Sequence, residues 1–133
     1  MINNVNLLKK EMVINELRIG NWIQWEDESN DMVQVKGIGE TKDGGVVTTS
    51  KKERAYLFEF VGIPLTEEIL LKAGFRILTW GYVKISSENF SVRLNPITFN
   101  YEVSGNNPVE VKYVHQLQNL IYALTGEELI IQP

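Results

Sequence analysis

At 133 residues, with 44% hydrophobic and 23% charged side chains, the chain has ordinary globular composition and enough length to bury most of its apolar surface. A net charge of −4 and a pI near 5.0 argue against a general nucleic-acid binder, whose affinity rests on neutralising phosphates. The absence of cysteine excludes disulfides, thiolate catalysis and thiolate metal sites together, and no apolar run approaches a membrane span.

Residues 1–11 precede the first clear structural signal and are taken as an N-terminal extension with no assigned role. Met12 is an alternative start, because the patterned sequence begins just after it. No signal-peptide core is present, so a cytoplasmic location is the default expectation. Leu17 to Trp25 is rich in strand formers and interrupted by Gly20-Asn21, which signals a turn or bulge. Glu26 to Asp31 reads as a polar loop. Met32 to Ile38 then alternates, with Val33 and Val35 on one face. Asp43-Gly44-Gly45 is a hairpin signal leading into Val46 to Thr49. Lys51 to Arg54 forms a charged connection, and Tyr56 to Val61 reads as one further strand. Short strands joined by tight turns predict a small bent β-sheet or an SH3-like barrel.

The stretch from Ile63 to Phe75 has the clearest local grammar. Thr66 is placed to cap a helix, with Glu67 and Glu68 in the first turn, where the helix dipole favours negative charge. Leu65 and Leu70 occupy the positions of a hydrophobic staple, and Gly74 fits the left-handed residue that ends the helix. Adjacent helical residues point in different directions, so Glu67 and Glu68 are read as capping charges rather than an acid–base pair.

A second run of strands follows. Tyr82 to Ser86, Phe90 to Leu94, Ile97 to Val103 and Val109 to Val111 each alternate apolar with polar residues. One buried face and one wet face are expected, as in an antiparallel meander. Turns are expected at Ser86 to Asn89, Asn95-Pro96 and Gly105 to Pro108. The last predicted element is a helix over Tyr113 to Gly126. Tyr113, Val114, Leu117, Leu120, Ile121 and Leu124 fall within an arc of roughly 120°, the stripe a helix uses to close a core. On the other side His115, Gln118, Asn119 and Tyr122 form one row at i, i+3, i+4 and i+7. No Lys, Arg, Asp or Glu occurs between Tyr113 and Gly126. The expected fold is therefore α+β: a β lobe over 12–62, then a lobe over 63–133 in which a short helix and a meander are closed by the C-terminal helix. Together they form a single domain.

Three motifs carry a resemblance. They are Glu16-Leu-Arg-Ile-Gly-Asn-Trp22, Ile63-Pro-Leu-Thr-Glu-Glu68 with Leu70 to Phe75, and Val111-Lys-Tyr-Val-His-Gln-Leu-Gln-Asn-Leu120 running into Ala123-Leu-Thr-Gly-Glu-Glu-Leu129. Over roughly residues 12–129 the chain resembles a family of small uncharacterised proteins found in Bacteroides-type bacteria and their phages or mobile elements. Members of that family usually begin near the first motif, so residues 1–11 are a departure. The resemblance implies a genomic setting and brings no activity, cofactor or catalytic residue.

The inventory for chemistry is thin. His115 is the only histidine, so a histidine metal cluster is excluded and no cofactor or metal is expected. No Gly-x-Ser-x-Gly elbow, P-loop or dinucleotide fingerprint occurs, and Glu26 to Asp31 lacks the glycine and terminal glutamate of a calcium loop. The reading that best fits is a non-enzymatic module for protein interaction or self-association, accessory and linked to a phage or mobile element. Its expected surface is His115, Gln118, Asn119 and Tyr122, because uncharged hydrogen-bonding groups tolerate burial better than lysines or glutamates. The opposing reading has the same four side chains bonded within the chain. The alternative function is a small carboxylate-based hydrolase or nuclease-like enzyme. A third is a single-stranded nucleic-acid binder with Trp22, Trp25, Phe90, Phe99 and Tyr101 as its platform. Arg18, Lys36, Lys51, Lys52 and Arg54 would supply its phosphate contacts. The expected partner is thus another protein or a second copy, with no membrane involved.

Overall fold

Ile23, Val33, Val35 and Val47 have no exposed surface, and five strands are built around them. The computed structural model describes residues 12–78, 81–86, 90–95, 100–101 and 109–133. Residues 1–11, the expected turns at 87–89 and 105–108, and most of the expected strand over 97–103 lie outside the described residues. The chain is α+β and divides into two units, Met1–Gly62 and Ile63–Pro133.

The N-terminal unit is one antiparallel sheet in the order β4-β3-β2-β1-β5. Its strands are β1 (Trp22–Trp25), β2 (Met32–Thr41), β3 (Gly44–Thr49), β4 (Arg54–Tyr56) and β5 (Phe60–Gly62). The long β2 serves two partners. Its first residues, Met32 to Gln34, pair with β1, and Val35 to Thr41 pair with β3, with a register shift between Val35 and Gly37. At the shift the strands approach closely, and a Cβ on Gly37 would sit 3.3 Å from the Thr48 Cβ. The bulge bends the sheet so that Val33 and Val35 share a core with Leu17, Ile23, Val47, Leu57 and Phe60. Met12 and Ile14 pack against the same cluster.

Three local differences from the sequence reading have physical causes. The stretch before Trp22 is not strand. Arg18 donates its amide to Asn21 Oδ1 at 2.7 Å, Gly20 takes φ +100°, and the buried Asn21 turns the chain into β1. Second, Tyr56 to Val61 is two strands separated by a 3-10 turn over Leu57–Glu59. Leu57 and Phe60 are both buried, yet residues three apart face opposite sides of a continuous strand. The turn brings both inside, and the Glu59 carboxylate fixes it by accepting the Tyr56 N–H at 2.9 Å. Third, the pairing does not close into a barrel. β4 and β5 are its two edges, so the sheet is open.

The C-terminal unit begins with helix α1 (Glu67–Lys72). Thr66 caps it as the sequence predicts, its hydroxyl accepting the Ile69 N–H at 3.2 Å. Gly74 at φ +96° ends it, with Phe75 N–H donating to Leu70 O and Gly74 N–H to Leu71 O. That is a complete Schellman pair, and both Leu70 and Phe75 are buried. A second five-stranded sheet follows, formed by β6 (Arg76–Leu78), β7 (Gly81–Ser86), β8 (Phe90–Leu94), β9 (Asn100–Tyr101) and β10 (Val109–Glu110). All its neighbours are antiparallel and sequential, a meander. β6 has no counterpart in the sequence reading, and it pairs with β7 from Arg76 opposite Val83. Helix α2 (Val114–Thr125) comes last. Its entry is tied to the start of the unit. Val114 N–H donates to Ile63 O at 2.9 Å, Leu65 N–H to Lys112 O at 3.0 Å, and Pro64 bridges Tyr113.

Candidate functional site: the uncharged last helix

Helix α2 starts without a Ser, Thr, Asp or Asn cap. Gln116 takes that role from inside the first turn, its Oε1 accepting the Lys112 N–H at 2.9 Å and the Tyr113 N–H at 3.2 Å. At the other end Gly126 adopts φ +75° and donates its amide to Tyr122 O at 2.8 Å. Thr125 bonds back to Ile121 O and also accepts the Glu127 N–H. The nearest charges on the entry side are Glu110 and Lys112, which pair with each other at 2.7 Å. The bond to Glu110, with its charge, holds the Lys112 ammonium above its ordinary value. The helix is thus approached by a neutralised pair and carries no Lys, Arg, Asp or Glu itself.

The expected apolar stripe is buried at Val114, Leu117 and Ile121, half-buried at Tyr113 and Leu120, and exposed at Leu124. The expected polar row does not form one solvent-facing surface. His115 has no exposed surface, Gln118 is buried, Asn119 is half-buried, and only Tyr122 reaches solvent, at 43%. The His115 ring stacks on Tyr113 with centroids 5.8 Å apart and planes 10° off parallel. All four residues of the row have interaction partners within the chain. The cause is the depth of the helix. Its first two turns are buried on both sides, so polar and apolar positions go inside together.

What emerges is the last turn. Tyr122, Ala123 and Leu124 are consecutive exposed positions, and Ile130 beyond the helix is exposed at 81% between the buried Leu129 and Ile131. The spacing assigns Leu124 to the core, and the structure places it outside. Ala123 and Leu124 are the members of this surface that sequence reasoning missed. The one signal for them is the lack of charge in the final turn.

Of the aromatic platform, Trp25 is engaged with Phe60 at 4.3 Å between centroids, against the core of the N-terminal unit. Phe90 and Tyr101 belong to the other unit, and Phe99 lies outside the described residues. Another aromatic pair is present instead. Tyr56 and Phe58 stack at 5.3 Å and 10°, with Phe58 exposed at 66%. Among the described residues no group of three or more His, Asp or Glu side chains converges, and no helix is long and apolar enough to cross a membrane. Comparison of the chain with protein-family models, curated proteins and solved structures gives no match in any of the three.

Proposed function

We propose that the chain is a non-enzymatic interaction module that docks a protein partner, or a second copy of itself, through the last turn of α2. The observation carrying this reading is the exposure of Tyr122, Ala123 and Leu124 on a helix without a single Lys, Arg, Asp or Glu. A turn that serves only to solvate the fold normally carries charge. An aromatic, a methyl and a leucine spread round one exposed turn lose little when water is removed, and tyrosine is among the residues that dominate contact energies. The motif resemblance supports an accessory role in a phage or mobile element. The polar row contributes its exposed member, Tyr122, while His115 and Gln118 hold the helix in place.

Light scattering across a concentration series tests the second-copy form, and photo-crosslinking from position 122 in cells tests the partner form. The expected result is either a mass above the monomer that falls on Leu124→Glu, or a discrete crosslinked product that the same substitution removes. A monomeric mass at all concentrations together with no crosslink from position 122 would refute the reading.

A further inference from the structure

Past the end of α2 the chain still has two apolar side chains to bury and little else to hold it. Leu129 and Ile131 are each 5% exposed, while Ile130 between them is 81% exposed. Burial that alternates from one residue to the next marks an extended segment lying on a surface. Yet residues 128–133 belong to no helix or strand. Gly126 leaves the helix at φ +75°, and the Thr125 hydroxyl accepts the Glu127 N–H. Among the described residues, Glu128 is the last to have a polar partner, and residues 129–133 make no hydrogen bond or ion pair.

Two opposing quantities fix how firmly such a segment is held. Burial of a leucine and an isoleucine draws it down. Ordering five residues that share no backbone bond costs conformational entropy of the same order. Val114 at the start of α2 is held differently. It has no exposed surface and its amide donates to Ile63 O, so it comes free only when the C-terminal unit opens. We propose that residues 129–133 form a detachable strap, which lifts away while α2 and the rest of the C-terminal unit stay folded. Its joint is the stretch from Gly126 to Glu128, where the left-handed glycine is followed by two exposed glutamates. With the strap down, one apolar side chain, Ile130, faces water. Lifting it presents Leu129, Ile130 and Ile131 in a row and uncovers the two places that Leu129 and Ile131 filled. The strap thereby sets how much apolar surface the unit shows. It works in the same way whether or not the last turn of α2 docks a partner.

The chain has no cysteine, so single thiols report opening without background. Ile130→Cys, Ile131→Cys and Val114→Cys are each reacted with a thiol-specific chromogenic disulfide across a urea series, on the full chain. The Ile131→Cys thiol is expected to react no more than about a hundredfold more slowly than the exposed Ile130→Cys thiol. Its rate should stay flat in urea below the melting midpoint, because lifting five residues exposes little surface. The Val114→Cys thiol should be slower by on the order of ten-thousandfold or more, with a rate that climbs steeply with urea. Equal rates and equal urea slopes for Ile131→Cys and Val114→Cys would overturn the proposal, since the segment would then open only with the whole unit. A second variant removes both anchors at once. Leu129→Ser with Ile131→Ser should keep its far-ultraviolet spectrum and lower the thermal midpoint by no more than about 5 °C. Unfolding of that variant would equally overturn the strap, because residues 129–133 would be part of the core.

Discussion

Leu117 and Leu124 lie two turns apart on α2, and the sequence assigns both to the same buried stripe. The structure separates them: Leu117 has no exposed surface, whereas Leu124 is exposed at 37%. Truncating Leu117 to alanine removes buried methyl groups and leaves a cavity that its neighbours fill only in part, at a cost of about 2–5 kcal/mol. Full burial of a leucine is worth roughly 1.5–3 kcal/mol, and Leu124 realises only part of it without sealing a cavity. Leu124→Ala should therefore cost about 1–2 kcal/mol at most. Against a total stability of about 5–15 kcal/mol, the first change threatens the fold and the second does not. Urea melts of the two variants and the parent, fitted with a shared slope, give both differences directly. Equal losses would refute the argument, because Leu124 would then be as buried as its spacing implies and the exposed turn would not exist.

The polar row divides in the same way. His115→Ala should destabilise the isolated chain by about 2–4 kcal/mol, since the ring is wholly enclosed, while Tyr122→Ala should stay within about 1 kcal/mol, both read from denaturant midpoints. Gly74→Val places a β-branched residue at φ +96° and should cost about 1–2 kcal/mol; an unchanged midpoint would mean that α1 does not end there. The Asp27 carboxyl accepts the Ser29 hydroxyl and amide, and the hydroxyl bond holds it below its usual value of 3.8. Its contribution to stability is thus present above that value and lost as pH falls through the lowered one. An NMR titration should find the Asp27 midpoint rising in Ser29→Ala.

The parts legible in the sequence are those fixed by neighbours along the chain. Thr66, Gly74 and the Leu65/Leu70 spacing define α1 at both ends because capping is settled within a few residues. The alternation of Val33 and Val35 likewise announces one face of β2. What stayed hidden depends on what lies opposite. The split of Tyr56 to Val61 is decided by the need to bury both Leu57 and Phe60, and β6, which starts two residues after Gly74, exists because β7 pairs with it. Burial of His115 and Gln118 follows from how deeply α2 sits, which helical spacing does not encode. The Tyr56–Phe58 stack is hidden for the same reason, because the 3-10 turn is what presents Phe58.

The ties between residues 63–65 and 112–114 have a consequence for how the C-terminal unit opens. They join points separated by the helix, the meander and every loop between them, closing a circuit of nearly fifty residues. Forming such a circuit costs roughly 3 kcal/mol in chain entropy, which the two amide bonds alone do not recover. They persist because the elements inside the circuit fold with them. The Leu65 and Val114 amides should therefore exchange with solvent deuterium only when the whole unit opens, and their protection factors measure its global stability.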